Sequence, residues 1–232
     1  PQTILPPAIT MSLYFVIFGE LIGERIGQMD GYDYVDFIVP GLVLMAVITN
    51  SYANVVSSFY QAKFMHHVEE ILISPVPNWV ILAGYVGGGV ARGMAVGVVV
   101  TIISMLFTDL SVHSYTVAAG VFFLTSVLFS LTGFINAVYA NSVDDISIIP
   151  TFVLTPLTYL GGVFYSISLL PEFWQKVSLG NPILYMVNAF RYGILGTSDI
   201  SIAWAYLITG LFVVVLFALN LGLLNRGVGI RE

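Results

Sequence analysis

Six stretches of this chain run for sixteen residues or more almost without charge: Ile4–Gly19, Phe37–Ala62, Asn78–Phe107, Ser114–Val143, Ile146–Leu170 and Ile200–Asn225. The third carries only Arg92. A bilayer core about 30 Å thick is crossed by roughly 20 mostly apolar helical residues. In hydrocarbon every backbone N–H and C=O must be satisfied within the protein, so only helices or closed barrels span it. Barrel strands would show segments of about 10 alternating residues, which these runs do not. The chain is therefore read as an all-α membrane protein with six transmembrane helices in a single domain over residues 1–232. Composition agrees: 58% of residues are hydrophobic and 9% charged, against about 25% charged in a soluble domain. A soluble fold this poor in charge would expose large apolar patches.

One apolar stretch fits no span. Pro182–Gly196, PILYMVNAFRYGILG, is 15 residues long and contains Arg191. At 1.5 Å per residue it reaches about 22 Å, short of a crossing. It is expected to be a re-entrant or interfacial helix between spans five and six, with a poor seventh span as the alternative. Six spans place both ends on one side. The positive-inside rule does not choose that side: Lys63, Arg226 and Arg231 stand against Arg25, Lys176 and Arg191. The chain opens on Pro1 rather than Met, and a preceding N-terminal stretch is expected. No signal peptide is visible.

Several patterns bear on function. Between spans two and three, Phe64, Val68, Ile71 and Leu72 recur at helical spacing, with His66, His67, Glu69 and Glu70 on the other face. This predicts a short amphipathic surface helix stopped by Pro75 and Pro77. It is either a solvated loop element or a docking knob. Adjacent histidines point about 100° apart on a helix, so no metal site is expected there. Span two carries Asn50, Asn54, Ser57 and Gln61 on one face, and span five carries Thr151, Thr155 and Thr158. Polar groups in a span face a bundle interior, a partner or water. They serve interhelical hydrogen bonds or line a substrate pathway. On the pathway reading Asn50, Asn54, Thr151 and Thr155 share a cavity, with Tyr52 and Val56 on the far face.

Gly89, Gly93 and Gly97 form a doubled GxxxG, a close-packing signal. Arg92 at mid-depth needs water or an acid, and Asp144 and Asp145, between spans four and five, are expected as the nearest acids on the Lys63 side. Those two also suit the first turn of span five. No GxSxG, HExxH or GxxxxGK[ST] occurs. Cysteine is absent, which removes disulfides and thiolate chemistry. A net charge of −6 without basic runs argues against nucleic acid. No catalytic residues, metal site or bound cofactor are expected, and an ATP-driven process would need another chain to hold ATP.

The chain resembles the permease subunit of ABC-2 type exporters. The resemblance rests on HVEEILISPVP (His67–Pro77), on DDISIIPTFVLTPLTYLGGVFYSISLLPEFWQ (Asp144–Gln175) and on NPILYMVNAFRYGILG (Asn181–Gly196). Leu170, Pro171, Trp174, Asn181, Pro182 and Arg191 carry the family pattern of LPxxW followed by NP and an arginine. The amphipathic segment that usually precedes span one is not present in this sequence. The resemblance implies a homodimer of six-helix halves in a bacterial inner membrane, contacting lipid. It implies two copies of a cytoplasmic ABC ATPase, with ATP and magnesium on that partner. Val68, Glu69, Glu70, Ile71, Leu72 and Ile73 would form the helix that receives ATPase motion, and Pro171–Ser198 an outer re-entrant pair. Asn50, Asn54, Ser57, Thr151, Thr155 and Thr158 are the candidate substrate pathway for an amphipathic, lipid-like or drug-like cargo. A secondary carrier coupled to ions, working without an ATPase, is the rival reading. It expects acids in mid-span, and only Glu20 comes near. A lipid-modifying enzyme would need an acid or histidine constellation beyond Asp144 and Asp145.

Overall fold

The computed structural model describes residues 3–73, 75–108 and 111–229, apart from the side chains of Glu20, Glu69 and Leu72. Asp109 and Arg231 therefore lie outside the described residues. Among the described residues six helices are long and apolar enough to cross a membrane: α1 (Leu5–Ile26), α2 (Tyr34–Phe64), α4 (Asn78–Ser104), α5 (Tyr115–Tyr139), α6 (Val143–Leu160) and α9 (Ile202–Arg226). Shorter elements join them. A β-hairpin of β1 (Gln28–Met29) and β2 (Tyr32–Asp33) follows α1, and α3 (His67–Ile73) follows α2. Helices α7 (Glu172–Leu179) and α8 (Pro182–Leu195) lie between α6 and α9.

The spans match the expected count but shift at their ends for local reasons. Helix α1 does not stop at Gly19. A π-helical stretch, Phe15–Ile22, carries it on past Glu24 and Arg25 to Ile26, and Gly27 in a positive-φ conformation ends it. Helix α6 starts at Val143, where Ser142 and Asp145 form a reciprocal capping box. It ends at Leu160 instead of Leu170, because Gly162 turns the chain at φ +74. Its middle is a wide turn, Pro150–Leu154, in which the Thr155 hydroxyl donates to the Pro150 carbonyl at 2.9 Å.

Helix α2 is the centre. The most apolar stretch of α2 is 78% buried, against 18% in α1, 11% in α6 and 17% in α9. It packs along α5 and α4, and on α8 near its N-terminal end. Lipid tails are as apolar as leucine, so helices associate in a bilayer by close packing rather than by hydrophobic burial. Glycines supply the closeness. A Cβ at Gly133 of α5 would stand 2.7 Å from the Tyr52 carbonyl oxygen, and one at Gly41 2.7 Å from that of Val163. Gly89 and Gly93 of α4 lie against Ser51 and Val55 of α2, and Gly97 against Phe122 and Val47. The GxxxG signal thus marks the α4 contact with α2 and α5.

Polar clamps fix the helix ends. Lys63 Nζ donates to the Val138 and Ala140 carbonyls at 2.8 and 2.9 Å, tying the end of α2 to the C-terminus of α5. Asn78 donates to Asn225 at 2.7 Å, joining the start of α4 to the end of α9. Gly133→Ala therefore lowers the stability of the purified protein by about 1–3 kcal/mol through overpacking against backbone. Gly84→Ala, where a Cβ meets nothing within 4 Å, leaves it unchanged or raises it by up to about 1 kcal/mol. Thermal unfolding of both variants in detergent checks the contrast.

Candidate functional site

Three regions hold the residues singled out by sequence. At one end, α2 breaks at Met65–His66, with His66 at φ +59, and α3 starts at His67. Val68 is buried and seats α3 on the bundle, while Glu70 is exposed and Ile73 is 86% exposed. Phe64, expected on the buried face with Val68, is exposed instead. The break at His66 puts it on the end of α2 and out of register with α3. Ile71 is half-buried, and the side chains of Glu69 and Leu72 are outside the described set. Exposed Phe64, Met65, Ile73, Val76 and Trp79 together give this end an apolar surface. Among the described residues no His, Asp or Glu cluster suits a metal.

At mid-depth the structure divides the expected polar set. Thr155 and Thr158 of α6 face Met45, Thr49, Tyr52 and Ala53 of α2 across a cavity of about 80 Å³. Asn50 lines a different and larger cavity, of about 350 Å³, between α1, α2 and α4. Asn54 turns toward Gly88 of α4, and Ser57 and Thr151 are exposed. Tyr52, placed by sequence on the far face, is on the α6 side. Its hydroxyl accepts from Asn136 Nδ2 at 2.6 Å. Thr49 and Met45 line both cavities, which sequence reading missed because it followed only the asparagine stripe. Arg92 makes no ion pair with Asp144 or Asp145. Asp145 instead accepts from the backbone N–H groups of Asn141 and Ser142, both at 2.9 Å.

The opposite end is built around the α6 C-terminus. A helix that stops inside the protein leaves carbonyls without partners. Asn181 Nδ2 donates to the Leu157 carbonyl at 2.6 Å, and Arg191 Nη2 donates to the Gly162 carbonyl at 2.6 Å. Asn181 also accepts from the Ile183 N–H at 3.0 Å, capping α8. The guanidinium stacks on Phe37 of α2, 3.8 Å from the ring centroid. Arg191 is 2% exposed. Burial pushes it down to about 10, while Asp199 and Asp30 favour its charged form, so it is cationic at neutral pH. Glu172, considered as a partner from sequence, pairs with Lys176 at 2.8 Å on the surface of α7. Trp174 and Phe173 of α7 are exposed, as suits a helix lying at a membrane interface. Asp30, Asn188, Arg191, Thr197, Ser198 and Asp199 enclose a polar chamber of about 100 Å³. Tyr32 of the hairpin donates to the Leu195 carbonyl at 2.6 Å and holds the hairpin on α8. Asp30, Asn188 and Asp199 went unread in the sequence because they are far apart along the chain.

This arrangement of six spans, a surface helix after the second and a buried partial helix before the last agrees with sequence comparison. The profile of the ABC-2 type transporter family matches residues 1–195. The chain belongs to the ABC-2 type transporter family. It is 57% identical over 231 residues to the inner membrane transport permease YadH of Escherichia coli (strain K12), covering 100% of this chain and 90% of that protein. It is 26% identical over 216 residues to nodulation protein J of Sinorhizobium fredii (strain NBRC 101917 / NGR234), covering 93% and 82%. It is 20% identical over 215 residues to nodulation protein J of Rhizobium leguminosarum bv. viciae, covering 92% and 83%. As an ABC-2 family protein the chain is a multi-pass membrane subunit of a transporter. Its NP-and-arginine motif has a physical role in this fold: Asn181 satisfies the Leu157 carbonyl in the last turn of α6, and Arg191 the Gly162 carbonyl in the turn that follows.

Arg191→Ala removes one partner of a buried, charge-assisted hydrogen bond and lowers stability by about 1–3 kcal/mol. Arg191→Lys also lowers it, because a point charge replaces a planar group that both stacks and donates. Melting curves of both variants in detergent, against wild type, check this.

Proposed function

We propose that this chain is the permease subunit of an ATP-driven exporter in a bacterial inner membrane. Two copies form the translocation pathway, and two separate ABC ATPase subunits carry the ATP and magnesium and dock on the α3 end. The chain itself contributes no catalytic residues. The cargo is an amphipathic, lipid-like or drug-like molecule that moves by alternating access. The observation that carries this reading is α3: a short helix anchored through Val68, presenting Glu70 and Ile73 outward beside an apolar surface. Such a surface at a bundle end suits a protein partner. The name of one relative, the inner membrane transport permease YadH, supports transport. The lightly buried faces of α1, α6 and α9 leave room for a second copy and for lipid. Export requires two conformations that ATP binding on the partner weights differently.

Substituting Glu69→Lys together with Glu70→Lys reverses charge on the docking helix. Rim charges of this kind tune partner encounter and register. In proteoliposomes with the partner ATPase, export of a fluorescent amphipath falls by about tenfold, equivalent to about 1.4 kcal/mol of coupling, while the permease itself folds and inserts normally. Wild-type export with normal complex assembly would remove α3 from the docking role.

A further inference from the structure

Arg92 lies about midway along α4, a helix long and apolar enough to cross a membrane. A lone arginine at that depth is costly unless it faces water or a partner of opposite charge. Its Nε is buried without a hydrogen-bond partner, and no ion pair joins it to a described carboxylate. It lines the cavity of about 350 Å³ between α1, α2 and α4, together with Thr10, Met11, Tyr14, Thr49 and Asn50. The polar inventory of that cavity is lopsided. Asn50 Nδ2 already donates to the Ala46 carbonyl at 2.9 Å, and the Thr49 hydroxyl to the Met45 carbonyl at 2.9 Å. What remains to be satisfied is mainly donor capacity, the five N–H groups of a guanidinium. The rest of the lining is apolar, from Pro6, Pro7, Met11, Met45 and Ala46. Positive charge at one point of an apolar wall fits a molecule with an anionic head and an aliphatic body. The volume is at the lower end for a ligand site, enough for a head group and the first part of a chain.

We propose that the α1–α2–α4 groove binds an anionic phospholipid, or a cargo of the same chemistry, with its phosphate on Arg92. The bilayer is the source. Thr10 and Thr49 are exposed, and the most apolar stretch of α1 is 18% buried, so the groove is open to a molecule from outside this chain. Arginine binds phosphate through paired, charge-assisted hydrogen bonds. The groove is separate from the cavity between α2 and α6, but Met45 and Thr49 form a wall common to both.

The test is lipid binding by the purified full chain in detergent micelles, read by native mass spectrometry and thermal shift. No nucleotide is present, so the result stands apart from the exporter reading. Dioleoyl phosphatidylglycerol is expected to bind saturably and raise the melting temperature, and dioleoyl phosphatidylcholine and glycerol phosphate to do neither. Arg92→Gln weakens phosphatidylglycerol binding by about tenfold or more, and Arg92→Lys weakens it less, since lysine keeps the charge but loses the fork. Thr10→Trp, which fills the groove mouth from an exposed position and leaves the charge in place, also weakens binding, and it decides the matter if Arg92→Gln does not fold. Equal binding of both lipids would overturn the proposal. So would undiminished binding to Arg92→Gln or to Thr10→Trp, and so would saturable binding of glycerol phosphate, which would make this a site for a soluble anion.

Discussion

Helices inside a bilayer gain little by hiding apolar side chains from lipid, and this protein is organised around that fact. What draws its helices together is backbone approach, and α2 is where the approaches converge. Gly133 brings α5 onto the Tyr52 carbonyl, Gly93 brings α4 onto Ser51, and Gly41 lets the loop after α6 reach α2 itself. These contacts are spread along the helix, so α2, α4 and α5 form one packed block. Side chains that would be unremarkable in a soluble core, such as Val47 and Val55, fill the space between glycine-lined grooves. The other spans attach to this block by one face each, which is why α1, α6 and α9 remain largely uncovered.

The same solvent imposes a second requirement at the end opposite α3. Helix α6 ends at Leu160 with carbonyls to be met from within the protein, and α8 is too short to cross. Each meets the other's need. Asn181 and Arg191, at the start and two-thirds of the way along α8, supply donors to Leu157 and Gly162. Phe37 gives the guanidinium a face to rest on, and Asp30 and Asp199 give it a favourable field. A buried cation is tolerable because four separate elements compensate it. The cost of that arrangement is specificity of placement: the α1–α2 hairpin, the α6 end, α8 and the turn before α9 must all be in register.

The spans were legible because hydrocarbon admits so few structures that length and charge suffice to find them. The surface helix at Val68–Ile73 and the partial helix at Pro182–Leu195 were legible for the same reason, one by its alternation of faces and one by its shortness. The ends of helices were not, since they depend on local devices such as the Ser142–Asp145 cap and the left-handed Gly162. Periodicity also gave a face of α2 without giving its neighbour. Asn50 and Asn54 share a stripe, yet α1 and α4 claim them, while Thr49 and Tyr52, a short rotation away, meet α6. Helical spacing encodes direction from one axis, and the identity of the helix standing in that direction is a property of the whole bundle.

Helix α2 runs 31 residues, about 46 Å at the α-helical rise. Its C-terminal end leads through a two-residue turn into α3 and is pinned to α5 by Lys63. Its N-terminal end carries Phe37 beneath Arg191. Interiors packed this closely move as bodies because they resist continuous deformation. In the exporter reading, force applied at α3 is therefore borne by the α2–α4–α5 block as a unit. The compliant contacts are the ones between that block and α1 or α6, and both mid-depth cavities lie there, on either side of Met45 and Thr49. A small rocking of the block changes the width of the two cavities together. Coupling between a partner at one surface and a ligand at mid-depth then needs no chain of intermediary residues, only a rigid helix with loosely held neighbours.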